Sequence, residues 1–115
     1  MVFFKVSTNL VFDAAQAQQI NYSLSEFIAQ QTNQPASFVM VELADAKHIM
    51  FAGNNAPTAY VECKSIGMNA SQANIMSAAI CKTLHTLMAI SVDRIYIEFS
   101  HQPAELWGWN RVTFE

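Results

Sequence analysis

The chain has 115 residues, enough for one domain over residues 1–115, and its 52% hydrophobic and 13% charged content excludes a disordered protein. Six basic and nine acidic residues give a net charge of −3 with no Lys/Arg cluster, so we expect no nucleic-acid binding. No apolar run reaches the roughly 18 residues that span a membrane, and no signal-peptide pattern opens the chain. These features predict a cytoplasmic protein, and such an apolar chain is expected to oligomerise.

The first half of the chain has the pattern of a β-α-β unit. A β-prone apolar stretch predicts a strand over Val2–Thr8, and Asp13 is a suitable N-cap for the helix that follows. Asn33 is expected to end this helix, and residues 38–43 form the second predicted strand. Apolar residues recur in the helix at helical spacing: Ile20, Leu24, Phe27 and Ile28.

The second half repeats this pattern after a predicted short strand over residues 47–52. A strand is predicted over residues 58–65, a helix with Ser71 as its N-cap follows, and residues 95–99 form the closing strand. The helix has its own apolar stripe: Met76, Ile80, Leu84, Leu87 and Met88.

The two units have equal length, because residues 39–42 (VMVE) match residues 95–98 (IYIE) and the first strands are separated by the same interval. Right-handed crossovers would give an α/β fold, a four-stranded sheet with both helices on one face. The nearly continuous apolar character of residues 38–43 predicts burial on both faces of the sheet. A symmetric partner is therefore expected to cover the face that lacks helices.

The cysteines and histidines show no metal-ligand spacing. Cys63 and Cys81 lie far apart and form no ligand pattern with His48, His85 or His101, so we expect neither a metal nor another cofactor. Both cysteines are predicted to be small buried residues of a reducing compartment. His101 begins a loop after the last strand, near the expected site.

Several short stretches occur in a characteristic order: residues 65–67 (SIG), 93–97 (DRIYI), 107–110 (WGWN) and 113–114 (TF), with weaker support from residues 51–54 (FAGN). On these motifs the whole chain resembles the macrophage migration inhibitory factor family of the tautomerase superfamily. The resemblance implies a β-α-β-β-α-β subunit and a homotrimer whose three sheets line a central barrel. It also implies a small keto or enol acid as the ligand.

The resemblance further implies a catalytic position that this chain has changed. Members of the family interconvert keto and enol forms of phenylpyruvate with an N-terminal proline, exposed by removal of Met1, as the base. Val2 stands at that position. If Met1 is removed, Val2 presents a primary amine, which is a poorer base; if Met1 stays, the amine is displaced by one residue. We therefore expect phenylpyruvate tautomerase activity to be absent or very weak, and Val2→Pro to gain it.

The substrate-binding positions are also only partly retained. Gln34 replaces the lysine that receives the substrate carboxylate, and Glu98 replaces an asparagine of the vertebrate members at the pocket mouth. The family's pocket lies between subunits, with Val2, Gln34 and Ile66 from one chain and Tyr96 and Glu98 from its neighbour. Arg111 is a weak candidate to replace the lysine. The positions that remain suited to binding are Ser65 and Ile66, with its backbone N–H, and the aromatic residues Tyr96, Trp107, Trp109 and Phe114.

Two further hypotheses remain open. The protein could be an active isomerase or lyase on a small keto or enol acid that uses the Val2 amine. Alternatively, it could be a non-catalytic binding or signalling trimer that acts through its surface.

Overall fold

The computed structural model describes residues 1–114, and its elements occur in the predicted β-α-β-β-α-β order. The sheet has the order β2-β1-β3-β4, in which β1 and β3 are antiparallel and each edge strand is parallel to its neighbour. The elements are β1 (Val2–Thr8), α1 (Ala14–Thr32), β2 (Val39–Ala44), β3 (Ala59–Ser65), α2 (Ala70–Met88), β4 (Ile95–His101) and a C-terminal hairpin of β5 (Gly108–Trp109) and β6 (Val112–Thr113).

The predicted ends of α1 are confirmed. Asp13 is the N-cap, and its side chain accepts a hydrogen bond from the Gln16 backbone N–H at 2.8 Å while Gln16 accepts one from the Asp13 N–H. Asn33 ends the helix in a left-handed conformation with φ of 53°. This conformation suits asparagine better than most residues, so the chain can turn sharply into β2.

The predicted N-cap of α2 is wrong. Asn69, not Ser71, caps the helix: its side chain accepts from the Gln72 N–H at 2.9 Å, and Gln72 accepts from the Asn69 N–H. Asparagine and serine are comparable caps, but only Asn69 has a glutamine three residues later to complete a reciprocal capping box.

The predicted short strand over residues 47–52 is also wrong. Among the described residues this segment has no strand to pair with, and only an isolated bridge joins Phe51 to Asn54. The Arg94 side chain instead orders the following loop by donating hydrogen bonds to four backbone carbonyls, those of Phe51, Asn54, Ala56 and Pro57.

Both helices pack on one face of the sheet, as predicted, and form one core with it. The core is built from alternate residues of the central strands and from one stripe of each helix: Val2, Phe4 and Val6 of β1, Ala59, Val61 and Cys63 of β3, Ile20, Leu24 and Ile28 of α1, and Met76, Ile80, Leu84 and Met88 of α2.

Neither helix of residues 1–114 has the length and apolar content that a membrane crossing requires.

The opposite face of the sheet, which we call the open face, carries charged as well as apolar side chains. In the single chain, Met40 of β2 is 66% exposed and Glu42 is exposed, whereas Val39, Val41 and Leu43 are partly buried against the core; burial of the open face by a partner stays a prediction. The strand register places Glu42, Lys5, Glu62 and Glu98 in one row across this face. A partner that covers the open face would therefore meet charged as well as apolar side chains.

The two cysteines differ in burial. Cys63 is fully buried in the core as predicted, whereas Cys81 is only half-buried, and both are free thiols. Burial raises the pKa of the Cys63 thiol to about 11, compared with an ordinary value of 9.0.

The raised pKa predicts an unreactive thiol, because the thiolate is the reacting form. In a Cys81→Ala variant at pH 8, we expect Cys63 to react with Ellman's reagent roughly 100-fold more slowly than an ordinary thiol. Absorbance at 412 nm measures the rate, and the same variant in urea is the control that should react at the ordinary rate. Rapid reaction in the folded state would contradict the burial of Cys63.

Candidate functional site

One end of the sheet brings together the segments that carry several of the predicted site residues. β1 and β2 begin at this end and β3 and β4 finish there, so Val2 pairs with Val39 on one side and with Ser65 on the other. Gln34 lies just before β2, and Ile66 directly follows β3. Val2, Gln34, Ser65 and Ile66 therefore converge at this end, although they are distant in sequence.

Met1 occupies the centre of this convergence. Its amino group donates a hydrogen bond to Gln34 Oε1. Its carbonyl oxygen accepts hydrogen bonds from the Ile66 backbone N–H and from Ser65 Oγ, each at 3.3 Å. Met1 thus continues the β1–β3 pairing by one residue and engages the donors that lie beside the Val2 position.

Partial burial lowers the pKa of the Met1 amino group below its ordinary value of 8.0. Burial disfavours the charged form of the amine, because the ammonium group loses part of its hydration. A larger fraction of this amine is therefore neutral at pH 7 than is usual for an N-terminus.

A cavity of about 300 Å³ opens between the C-terminal end of α1 and the N-terminal end of α2, and it is lined in part by the hydrogen-bond partners of Met1. Of the predicted site residues, Gln34, Ser65 and Ile66 line it. The sequence analysis did not identify its other lining residues: Gln31, Thr32, Asn33, Gly67, Met68, Gln72, Ile75 and Met76. One of these residues could have been found from the sequence. The spacing of Asn69 and Gln72 is that of a capping box, which fixes the start of α2 and so places Gln72 at the cavity.

A sharp turn at Gly67 shapes one wall of this cavity. Gly67 has φ of +84°, a left-handed conformation that glycine adopts without the steric cost of a Cβ atom. The Gly67 N–H donates a hydrogen bond to His101 Nδ1 at 3.1 Å, so the end of β4 holds the turn that presents the Ile66 N–H. His101 therefore has a positional role at this end of the sheet.

An aromatic cluster lies outside the cavity lining. Trp109 and Phe114 stack with ring centroids 5.8 Å apart, and Phe38 contacts both rings edge-on at 5.8 and 6.3 Å. From the sequence, Phe38 was predicted only as a strand residue, and its contact with the other two rings was not predicted. Its position in the short turn between Gln34 and β2 is what brings it to the C-terminal hairpin.

The remaining residues of the C-terminal segment do not line the cavity of the single chain. Trp107 is half-buried and its backbone hydrogen-bonds to Ala104 and Phe114. Arg111, the weak candidate for the missing cation, lies exposed in the hairpin turn with φ of 75°.

Tyr96 and Glu98 lie away from the cavity of their own chain. β4 ends at His101, beside Ser65, whereas Tyr96 is five residues earlier and thus about 16 Å along the strand. Tyr96 is 64% exposed and contacts the Phe51 ring edge-on, with centroids 4.9 Å apart. Glu98 is three residues before His101, about 10 Å along the strand, in the row of Lys5 and Glu62 on the open face. The single chain therefore does not bring these two side chains to Val2.

Residues 1–115 match the family described as macrophage migration inhibitory factor (MIF). The protein of that name from Mus musculus is 33% identical over 115 residues, with 99% of each chain covered, and a homolog from Trichuris trichiura is 30% identical over 99% of this chain and 100% of its own length. The crystal structure of a homologue from Prochlorococcus marinus has a TM-score of 0.90 and 35% identity, covering 98% of this chain and 99% of that chain. A structure from Trichinella spiralis gives 0.90 at 28% identity, covering 97% and 99% respectively.

Proposed function

Because the chain belongs to the macrophage migration inhibitory factor family, whose members are typically oligomeric, we propose that it is a tautomerase-superfamily protein with little or no phenylpyruvate keto–enol tautomerase activity. The observation that carries this proposal is at the N-terminus, where Met1 engages the polar groups beside Val2, the residue that we place at the position of the family's catalytic proline. We further propose that the chain is one domain over residues 1–115 and a cytoplasmic homotrimer.

The proposed loss of activity follows from what enolisation requires. A base must remove a proton beside the keto group while hydrogen-bond donors stabilise the oxygen that becomes negative. With Met1 present, Val2 has an amide nitrogen that cannot act as a base. The donors suited to the enolate oxygen, the Ile66 N–H and Ser65 Oγ, already bind the Met1 carbonyl.

Gln34, which we place at the position of the family's lysine, makes the pocket less suited to an acid substrate. A lysine would pair with the substrate carboxylate, whereas the Gln34 amide can donate a hydrogen bond to it but carries no charge that would offset the charge of the carboxylate. If a neighbouring subunit brings Glu98 to the pocket mouth, its carboxylate would repel an anionic keto acid.

In the proposed trimer the neighbour would supply Tyr96 and Glu98. The exposure of Tyr96 and the 16 Å separation along β4 support this, because a side chain so placed can reach a second subunit more readily than its own cavity. Trp107, Trp109 and Phe114 would add aromatic surface to the same pocket, and the ligand would be a small keto or enol compound.

A working isomerase or lyase is the second candidate function. The contacts of Met1 favour this function if Met1 is removed from the mature protein. Removal of Met1 would at once expose the Val2 amine and release Gln34, Ser65 and Ile66 for a ligand. If that form were inactive too, the remaining candidate would be a non-catalytic binding trimer.

The test is phenylpyruvate tautomerisation by two preparations whose N-termini are established by intact mass, one with Met1 and one without. We expect no turnover above the uncatalysed rate with Met1 present, and weak turnover at most without it. Light scattering of the same samples should give the mass of three chains. Strong turnover by the Met1-free protein would contradict the proposal and establish the Val2 amine as a sufficient base.

A further inference from the structure

Met1 is held in the fold by two distant segments of the chain. Its amino group donates a hydrogen bond to Gln34 Oε1, and its carbonyl oxygen accepts hydrogen bonds from the Ile66 N–H and from Ser65 Oγ, each at 3.3 Å. Met1 is also half-buried. The first residues of a domain are usually poorly ordered unless a sheet or a similar contact holds them. These contacts therefore order a residue that would otherwise move freely.

The peptide bond between Met1 and Val2 lies at the start of a central strand. Val2 pairs with Val39 of β2 on one side and with Ser65 of β3 on the other, and it is only 2% exposed. An edge strand can separate from a single neighbour, whereas β1 must leave two neighbours at once. Release of the first residues would also move the Val2 side chain from the core into water. Opening of this segment is therefore expected to be rare.

Enzymatic removal of an N-terminal methionine requires the chain in the opposite state. An aminopeptidase binds the free α-amino group and encloses the first peptide bond, so the first residues must stand clear of the rest of the protein. The rate of proteolysis then depends on the population of the opened form. In the folded chain the Met1 amino group is bound to Gln34, and Val2 is already part of the sheet. The folded protein thus withholds both features that the enzyme needs.

We propose that the fold protects Met1 from removal, so that the methionine can be excised only before β1 joins the sheet. The state of the N-terminus is then fixed while the chain is made, and the folded protein keeps it. Chains that fold with Met1 have an amide at Val2, and chains that fold without it have a free Val2 amine. The inference rests on the proposed function, since it states what regulates the same site.

Treatment of the folded protein with a purified methionine aminopeptidase tests the inference, with intact mass measuring the loss of Met1. The wild-type protein is compared with an insertion variant that has Val-Ser-Gly between Met1 and Val2, and both are synthesised with the host aminopeptidase inhibited. The variant keeps the same Met–Val bond but moves it about 10 Å beyond β1. We expect the wild-type protein to lose Met1 at least about 100-fold more slowly than the insertion variant.

A double substitution, Gln34→Ala with Ser65→Ala, tests the contacts of Met1 directly. It removes two of the three hydrogen bonds to Met1 and should raise the rate of Met1 loss about tenfold. The matched control is Gln18→Ala with Ser71→Ala, which makes the same two changes at exposed helix positions and should leave the rate unchanged. Urea unfolding of each variant checks that a faster loss does not come from loss of the whole fold.

Three results would overturn the inference. The first is equal rates of Met1 loss from the wild-type protein and the insertion variant. The second is no loss from either protein, which would assign the resistance to the Met–Val bond itself, and the third is an equal effect of the two double substitutions. Failure of the proposed function would look different, because it would appear as strong phenylpyruvate turnover whatever the rate of Met1 removal.

Discussion

Val2→Pro, once freed of Met1, is expected to catalyse phenylpyruvate tautomerisation with a kcat/KM about 100-fold above that of the Met1-free wild-type protein. The substitution provides a secondary amine whose ring fixes the direction of its lone pair, at the end of β1 and beside the Ser65 and Ile66 donors. Proline is tolerated there because Val2 is the first residue of its strand. Enol absorbance measures the rate, and intact mass confirms the proline N-terminus.

The matched control is Val2→Ala, which keeps a primary amine while reducing the side chain. If Val2→Ala gained as much activity as Val2→Pro, the ring would not be the missing feature. If Val2→Pro stayed inert with a verified proline N-terminus, the base alone would not restore the chemistry. A gain in Val2→Pro/Gln34→Lys alone would then assign the remaining defect to the lost cation.

Phe4→Ala is expected to cost about 3–5 kcal/mol of the free energy of unfolding, a large share of the total for a domain of this size. Phe4 has no exposed surface, and it lies on the helix-facing side of β1 between its strand partners Val41 and Cys63. Removing the ring leaves a cavity that the surrounding close-packed side chains can only partly fill. Urea unfolding followed by circular dichroism, at one fixed protein concentration, measures the loss.

Phe3→Ala provides the control on the same strand, because its side chain points to the open face and is only half-buried. We expect it to cost less than about 1.5 kcal/mol. A loss as large as that of Phe4→Ala would mean that Phe3 is as deeply buried in the assembled protein as Phe4 is in the single chain.

Elements that depend on local sequence patterns were predicted correctly, whereas those that depend on distant partners were not. β1 and the ends of α1 could be predicted because alternation, periodicity and a capping box are local properties of Val2–Thr8 and Ala14–Thr32. The strand expected over residues 47–52 could not be judged locally, since a strand exists only where another strand is available to pair with it. For β2 the strand itself was predicted correctly, but its run of apolar residues could not show that Met40 faces away from the core of the single chain.

The residues of the candidate site also differ in whether the sequence or only the tertiary structure could place them. Val2, Gln34 and Glu98 could be predicted from the sequence as changed site positions, because the resemblance to the family defines each position by its neighbouring motifs. The hydrogen bonds of the Met1 carbonyl to Ser65 and Ile66 could not be predicted in that way, because they depend on the register of β1 against β3. The cavity likewise depends on how the ends of α1 and α2 meet.

The sequence by itself determined the family and the order of the elements, since these depend on residue identity and spacing along the chain, and it predicted a valine at the position of the family's catalytic proline. Only the tertiary structure decided that Met1 occupies the site's donors, that Phe38 joins Trp109 and Phe114, and that Tyr96 lies far from Val2. The physical reason is that strand register and helix packing set distances between residues that the chain itself places 30 or more positions apart.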